Sequence, residues 1–227
     1  GGNPYEFYGL QANGVYSTQA EASEAALINS SNQAYSAGDV RYVDQNNDGR
    51  IDSKDYVSLG SATPDYFGGF YTNIRYKHFS LAAEFSYSKV NEAYNAVRRT
   101  LESVSSFSNQ SVAVTNRWNV EGQVTNIPRA SYGDAIGNNN FSSRWIEDAS
   151  FLRMKSVTLS YSFDKPIWKF FRSGTLYVTG ENLLTATKYL GMDPEFAYSS
   201  GNSATQGFDY AKVMQPKSVK LGINLKF

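Results

Sequence analysis

The stretch SVKLGINLKF, residues 218 to 227, decides the fold. Its apolar residues recur at every second position, and serine, lysine, glycine and asparagine fill the positions between them. This period of two predicts a β-strand with one apolar face and one polar face. The apolar positions are Val219, Leu221, Ile223, Leu225 and Phe227. A long terminal strand of this kind leaves an unpaired edge, so the sequence predicts a further strand beside it.

Four other segments carry the same alternation, and Lys77 and His78 form a short turn between the first two. Their apolar positions are Phe70, Thr72, Ile74 and Tyr76; Phe79, Leu81, Ala83, Phe85 and Tyr87; Val157, Leu159, Tyr161 and Phe163; and Leu176 and Val178. The connections are short at residues 77 to 78 and 164 to 174, and long at residues 89 to 142 and 186 to 216. Residues 1 to 39 are predicted as loop with one short helix at Thr18 to Ile28, and residues 89 to 142 as a helix at Glu92 to Val104 followed by loop, without strands. Connections that alternate in this way are typical of the antiparallel up-and-down barrels of outer membranes.

Two all-β folds fit this pattern, because a soluble β-sandwich also has strands with one apolar and one polar face. Strand length favours the membrane barrel, since spanning strands need about 9–11 residues whereas ordinary strands have about 5–6. Aromatic residues lie near the ends of the apolar faces, as in an interfacial girdle: Phe70, Tyr76, Phe79, Tyr87, Tyr161 and Phe163. We therefore predict an all-β transmembrane barrel with a wet interior. Five strands cannot close one, since the smallest barrels have about eight, so we expect the remaining wall from polypeptide outside this chain.

The composition excludes several classes of function. Lys and Arg total 21, as do Asp and Glu, so no basic excess indicates a nucleic acid partner. The chain has no cysteine, which excludes disulfides, thiol catalysis and Cys-ligated zinc. Its apolar runs are far shorter than the roughly 20 residues of a membrane helix. Residues 1 to 10, GGNPYEFYGL, lack the regions of an export signal, so we expect any such signal upstream of Gly1.

The segment DQNNDGRIDSKD, residues 44 to 55, has the spacing of a twelve-residue calcium loop. The oxygen ligands would be Asp44, Asn46 and Asp48, the carbonyl of Arg50, then Asp52 and Asp55, with Gly49 at the sharp turn. Alternate side chains of such a loop converge on one hard cation, and the flexible, oxygen-rich set favours Ca²⁺ over Mg²⁺. Two features depart from the pattern: the last ligand is Asp rather than Glu, and a strand precedes the loop. The alternative is an Asx-rich turn that needs no metal.

Several segments together resemble the SusC/RagA-type TonB-linked outer-membrane transporters of the Bacteroidetes. They are GVYSTQAE (14 to 21), GDVRYVDQNNDGRIDSKDYVSLGSATPDYFGGF (38 to 70), RWIEDASFLRMKSVTLSYSF (144 to 163), YVTGENLLTATKYLGMDPEF (177 to 196) and KLGINLKF (220 to 227). Each segment is weak evidence by itself, but their order and spacing match the carboxy-terminal part of the family over most of the chain. The resemblance implies a plugged barrel of about twenty-two strands, of which this chain would supply the last five.

The resemblance also implies partners and a location. It places the chain in the bacterial outer membrane, where it would contact lipid, the remainder of the same barrel and a SusD-like surface lipoprotein. TonB would act through a plug domain that has no counterpart here. Residues 1 to 68 would form an extracellular loop region, and residues 69 to 227 would form barrel strands with extracellular loops. The closing strand is similar to the outer-membrane assembly signal, with Lys220, Gly222, Leu225 and Phe227 at the signal positions.

Catalysis has little support in the sequence. The single histidine, His78, lies in a predicted turn without a serine motif beside it. Loop carboxylates at Glu121, Asp134, Glu147, Asp148, Asp193 and Glu195 are scattered, and some neighbouring acids are expected by chance. Loop aromatics at Trp118, Tyr132, Trp145 and Tyr198 are candidates for stacking on a solute, and the alternative is packing between loops. We predict a nutrient importer, not an enzyme, for oligosaccharides or oligopeptides; the alternative is a calcium-stabilised extracellular β-rich adhesin or binding module.

Overall fold

The computed structural model describes residue 3 and residues 5 to 163, 172 to 195 and 205 to 227. In chain order its strands and α-helices are β1 (Glu6–Gly9), β2 (Ala12–Val15), α1 (Gln19–Ala25), β3 (Ile28–Asn29), β4 (Val40–Tyr42), β5 (Arg50–Ile51), β6 (Val57–Ser61), β7 (Tyr66–Tyr76), β8 (Phe79–Lys89), β9 (Glu92–Asn95), α2 (Ala96–Glu102), β10 (Ile146–Asp148), β11 (Phe151–Phe163), β12 (Ser173–Thr187), β13 (Phe208–Asp209) and β14 (Ser218–Lys226). Short 3₁₀ turns lie at Ser53–Asp55, Val112–Asn116, Tyr132–Asp134 and Ser143–Trp145. No helix in this described part is long and apolar enough to cross a membrane.

The chain divides into two compact units. We call the first the loop unit; it comprises Gly1–Thr63, Glu92–Glu147 and Ala197–Lys212. We call the second the sheet unit; it comprises Pro64–Asn91, Asp148–Phe196 and Val213–Phe227. The long connection between β8 and β11 thus packs in one unit with the first 63 residues, a grouping that differs from the division after residue 68 in the sequence analysis.

The sheet unit contains one five-stranded sheet in the order β14-β12-β11-β8-β7, with every pair antiparallel. Each of these strands pairs with the next long strand along the chain, so the sheet is an up-and-down meander, as the alternation predicted. Its strands have 11, 11, 13, 15 and 9 residues from β7 to β14. All five reach the length of about 9–11 residues that spans a bilayer, and β14 is at the lower limit of that range. Lys77, with φ of 52°, turns the chain between β7 and β8.

The register of the sheet separates two kinds of side chain. One row on the apolar face runs Ile74, Leu81, Leu159, Val178 and Leu221, and the next runs Tyr76, Phe79, Tyr161, Leu176 and Ile223. The corresponding rows on the polar face run Asn73, Ala82, Thr158, Thr179 and Lys220, then Arg75, Ser80, Ser160, Tyr177 and Gly222. Successive side chains of a strand point to opposite faces. Each residue in these rows therefore lies on the face that the alternation in the sequence predicted.

The loop unit has a hydrophobic core of its own, although the sequence predicted mostly loop over residues 1 to 39. One buried cluster contains Leu10, Tyr16, Ala22, Tyr35, Val40, Tyr42, Ile51 and Ile136. A second contains Phe7, Ala62, Tyr94 and Trp145. The strands in this unit are short, and long-range contacts between segments far apart in sequence hold it together. The polar composition of residues 1 to 39 therefore did not indicate that they belong to a compact unit with a tyrosine-rich core.

Both predicted helices are shorter than the sequence suggested. The helix predicted at Thr18 to Ile28 spans Gln19–Ala25, because Thr18 is its N-cap and Ala26 turns left-handed with φ of 50°. The helix predicted at Glu92 to Val104 spans Ala96–Glu102. Residues Glu92–Asn95 form β9 instead, which pairs in parallel with β13. The expectation of no strand between residues 89 and 142 was therefore wrong, and the side chain of Asn95 starts the helix by accepting from the amide of Arg98 at 2.8 Å.

Candidate functional site

The apolar face of the five-stranded sheet is the most unusual surface of the sheet unit. Large apolar side chains stay exposed along it, including Ile74 at 59%, Ile223 at 54% and Leu221 at 84%. A water-soluble sheet buries such a face against another layer. A contiguous apolar patch that stays exposed marks a site of interaction with a protein or a membrane. The sheet therefore presents a surface that suits hydrocarbon.

Aromatic side chains gather at one end of this face. Tyr76, Phe79 and Tyr161 lie in one row beside the turn between β7 and β8, and the rings of Phe79 and Tyr161 are 5.0 Å apart. His78 lies in the same turn, with its ring 5.8 Å from that of Tyr161. Tyrosine and phenylalanine in this position resemble the girdle that marks a membrane interface.

Hydroxyl and amide groups dominate the polar face. Thr158 and Thr179 share a hydrogen bond at 2.8 Å, and Ser162 and Thr175 share one at 3.1 Å. Near β14, the ammonium of Lys220 lies 2.5 Å from the carboxylate of Glu181. Such a surface is suited to water or to a polar polypeptide.

The four residues of the predicted assembly signal occupy distinct places in β14 and just after it. Lys220 and Gly222 lie on the polar face, opposite Thr179 and Tyr177. Leu225 lies on the apolar face opposite Gly174. Phe227 follows the strand and is 81% exposed.

A buried ion pair joins the loop after β12 to the sheet. Arg153 on β11 and Asp193 are only 3% and 6% exposed, and the guanidinium contacts the carboxylate through two nitrogens. Asp193 also accepts from the amides of Glu195 at 2.9 Å and Gln215 at 3.1 Å. Burial alone would raise the pKa of Asp193, but these hydrogen bonds, that from Arg153 foremost, hold it below its ordinary value. The pair thus fixes the segment before β14 as well as the loop after β12.

The predicted calcium loop is closed by its own hydrogen bonds. Asp44 accepts from the amide of Gly49 at 2.8 Å, and Asp48 accepts from that of Arg50 at 3.0 Å. Asp55 is fully buried, and its two oxygens accept from the amides of Gln45 and Asp52, both at 2.9 Å. The side-chain amide of Asn46 donates to Asp48 at 2.9 Å and lowers its pKa.

These hydrogen bonds are those of an Asx-rich turn, and they do not test whether a cation binds. In the parts of the chain that the structure describes, no three His, Asp or Glu side chains are grouped so that they could hold a metal. The Lys54 ammonium also lies 3.5 Å from Asp48. A carboxylate that accepts from amides keeps further lone pairs for a cation, so calcium binding stays a prediction.

Titration calorimetry checks the calcium prediction. Binding by the loop would give a Ca²⁺-dependent heat and a higher Tm in the wild type. Asp44→Asn removes one charge while keeping an oxygen to accept from Gly49, so it should abolish both effects and leave the metal-free Tm nearly unchanged. Equal Ca²⁺ responses in the wild type and Asp44→Asn would place the ion elsewhere.

The predicted loop aromatics occupy very different environments. Trp145 is fully buried, and the guanidinium carbons of Arg98 and Arg144 lie 5.3 and 4.3 Å from its ring centre. Trp145 therefore has the packing role that the sequence left open. Burial also lowers the pKa of Arg144 to about 10. The indole nitrogen of Trp118 donates to the carbonyl of Ser17 at 3.1 Å. Tyr198 lies outside the described residues.

Of the three aromatics that the structure describes, only Tyr132 lies largely in solvent. It is 77% exposed, and its ring lies 5.1 Å from that of Phe107, which is 92% exposed. Phe107 was not among the residues predicted to bind a solute, because its neighbours are serines and asparagine without a pattern. The two rings form an aromatic surface in the loop unit.

A buried carboxylate ties together distant segments of the loop unit. Asp39 is fully buried and accepts from Arg129 at 2.8 and 3.1 Å, from Asn138 at 3.0 Å and from the amide of Ser36 at 2.9 Å. Four donors converge on one carboxylate. Sequence alone could not reveal this site, because Arg129 and Asn138 lie 90 and 99 residues from Asp39.

We expect Asp39→Asn to destabilise the loop unit by about 2–3 kcal/mol, because its amide would face donors and leave Arg129 unpaired. Thermal unfolding and protease resistance of the receptor measure the loss. Lys54→Ala is the matched control, since it breaks an exposed ion pair and should change little. Equal stability of Asp39→Asn and wild type would contradict this role.

The loop carboxylates do not assemble into a catalytic pair in the described contacts. Glu147 binds Arg98 at 2.5 Å, and Asp193 binds Arg153. Burial raises the pKa of Asp134, but its carboxylate accepts from the amide of Asn139 at 2.9 Å in a turn. These acids hold the structure together.

Comparison with known proteins relates the chain to one class of receptor. No protein-family model matches the chain. TonB-dependent receptor P26 of Formosa agariphila is 30% identical in an alignment of 226 residues that covers 97% of this chain and 22% of that receptor. TonB-dependent receptor SusC of Bacteroides thetaiotaomicron is 28% identical in an alignment of 193 residues that covers 82% of this chain and 17% of SusC. The chain is homologous to part of the SusC-type TonB-dependent receptors. It spans about a fifth of the length of these curated relatives.

Solved structures with a similar fold also cover the chain. The RagAB peptide transporter matches 100% of this chain with a TM-score of 0.75 and 24% identity, and this chain covers 23% of that one. The same importer in its open-open state matches with a TM-score of 0.72. At this identity the likeness shows the fold alone.

Proposed function

We propose that this chain supplies the last strands and their loops to a TonB-dependent importer in the bacterial outer membrane. The observation that carries the proposal is the exposed apolar face of the five-stranded sheet, opposite a face of hydroxyl, amide and charged groups. A barrel wall between lipid and a wet lumen needs that pairing of faces. The remaining strands, to a total of about twenty-two around a plug, would come from the rest of the receptor.

We infer transport rather than catalysis. The loop carboxylates are engaged in ion pairs and turns, and the relatives are named as receptors and transporters. Energy would arrive from TonB through the plug, and a SusD-like lipoprotein would cover the extracellular side. The cargo would be an oligosaccharide or an oligopeptide, and the loop unit would take part in admitting it.

The orientation of the loops gives the first test in intact cells carrying the full-length receptor. A cysteine at Tyr132, in the loop unit, should react with a membrane-impermeant maleimide added outside. A cysteine at Lys77, in the short turn between β7 and β8, should react only after the outer membrane is permeabilised. Labelling of both positions in intact cells, or recovery of the receptor in the soluble fraction, would contradict the proposal.

Uptake measurements give the second test. Deleting TonB or the proposed SusD-like lipoprotein should abolish growth on the cargo. Comparison of growth on glycans and on peptides as the sole carbon source identifies the class of cargo. Unchanged growth in both deletions on every substrate would reject import as the function.

A further inference from the structure

The apolar pattern of β14 does not specify one register. A slip of one residue would exchange its apolar and polar faces, which the pattern forbids. A slip of two residues keeps every side chain on its face, because Val219, Leu221, Ile223 and Leu225 are interchangeable in polarity. Some other contact has to select the observed pairing with β12.

Tyr177 and Gly222 make such a contact. They are directly opposite on the polar face, and a Cβ atom at Gly222 would overlap the ring of Tyr177. The other polar-face positions of β14 all carry side chains: Ser218, Lys220, Asn224 and Lys226. Only the observed register therefore places a glycine beneath the ring.

The two alternative registers remove this fit. Since Gly222 pairs with Tyr177, a slip of two residues brings either Asn224 or Lys220 opposite the ring. Each carries a Cβ atom, so the ring of Tyr177 would have to leave the place that it holds over Gly222. Glu181 adds a weaker preference, because in the observed pairing its carboxylate contacts both Lys220 at 2.5 Å and Ser218 at 2.8 Å.

Rings opposite glycines recur in this sheet. Tyr87 is opposite Gly68, and a Cβ atom at Gly68 would lie 3.0 Å from its hydroxyl. Phe163 is opposite Gly174, where a Cβ atom would overlap its ring. An aromatic residue that covers a glycine on the neighbouring strand is a known means of fixing register in sheets.

We propose that Tyr177 over Gly222 is a register lock, which selects the pairing of β14 with β12 while the barrel assembles. Gly222 then has a packing function within the sheet, in addition to any reading of the terminal segment by assembly machinery. The inference rests on the proposed barrel, since the register of the last strand matters for closing the wall.

Cysteine pairs in the full-length receptor report the register, because this chain has no cysteine of its own. The pair Thr175→Cys with Asn224→Cys reports the observed register, in which these positions are opposite. Thr175→Cys with Lys226→Cys, and Ser173→Cys with Asn224→Cys, report the two slipped registers. A short thiol cross-linker is applied to outer membranes, and each product is quantified.

We expect wild type to give mainly the product of the observed register, with small amounts of the slipped products. Tyr177→Ala should raise the slipped products by up to about fivefold, the largest factor that such a cross-strand pair contributes. Tyr177→Phe keeps the ring and should behave as wild type. Tyr71→Ala is the matched control, because it removes another polar-face tyrosine, whose opposite residue is Glu84 rather than a glycine.

The exchange Tyr177→Gly with Gly222→Tyr separates packing from recognition. It restores a ring over a glycine, so the register lock predicts the observed cross-link in the receptor that reaches the outer membrane. Slipped products from this receptor, or Tyr177→Ala with only the observed cross-link, would overturn the inference. If Tyr177→Ala does not accumulate, the cross-links formed by the exchange variant and by Tyr177→Phe test the register lock. Wild-type receptor missing from the outer membrane would instead reject the barrel itself.

Discussion

Replacing Leu159 by arginine is expected to destabilise the inserted receptor by about 2–4 kcal/mol, the cost of an arginine facing lipid near the middle of a membrane strand. Leu159 lies at the centre of β11 and of the apolar row that also contains Leu81 and Val178. The charge would have to enter hydrocarbon or distort the wall. We expect a large loss of receptor from the outer membrane and a lower denaturation midpoint in urea for the part that inserts.

Thr158→Arg is the control for this experiment. Thr158 is the preceding residue on the same strand, so the backbone context is matched and only the face differs. It is opposite Ala82 and Thr179 on the polar face, where a guanidinium would stay in a hydrated or polar environment. Equal losses for Leu159→Arg and Thr158→Arg would show that the two faces are not distinguished by lipid.

Asp193→Asn is expected to release the loop after β12, with a local cost of about 3 kcal/mol, because it leaves the buried guanidinium of Arg153 without its main counter-charge. Hydrogen exchange of residues 188 to 195 and 213 to 217 measures the loss of protection. Glu181→Gln is the control, since it breaks the more exposed pair with Lys220. It should leave exchange in both segments unchanged.

Acid should reproduce the effect of Asp193→Asn in the wild type. The pKa of Asp193 is lower in the folded state than its ordinary value of 3.8, so its contribution is complete above that value. The contribution is lost as the pH falls through the lower folded value, because protonation then removes the charge that Arg153 needs. Protection of residues 188 to 195 that is independent of pH between 7 and 2 would contradict this assignment.

Local pattern was enough to predict the strands of the sheet. The alternation from Phe70 to Tyr87 has a period of two that no helix shares, and the turn at Lys77 has only one place to form. The local pattern could not predict contacts between residues far apart in the sequence. The Arg153–Asp193 pair joins residues 40 positions apart, and nothing near either residue in the sequence indicates the other.

The loop unit was the part that sequence described least well. Glu92–Asn95 was predicted as helix because its residues suit a helix, yet pairing with β13 draws it into a strand. Tertiary contacts override propensity in this way when a short segment is buried, and Tyr94 and Asn95 are only 5% and 1% exposed. From the sequence, the buried Trp145 could not be distinguished from a solute-binding aromatic, because loop segments of similar composition carry both kinds of residue.

The most direct test is a scan of spin-label accessibility in the full-length receptor reconstituted in lipid, with one label at a time at neighbouring positions of three strands. Labels at Leu81, Leu159 and Leu221 should collide with oxygen, which concentrates in hydrocarbon, and labels at Ala82, Thr158 and Lys220 should collide with a water-soluble nickel chelate. If the leucine positions are instead sheltered from both reagents, the apolar face packs against protein, and this chain is not a membrane wall.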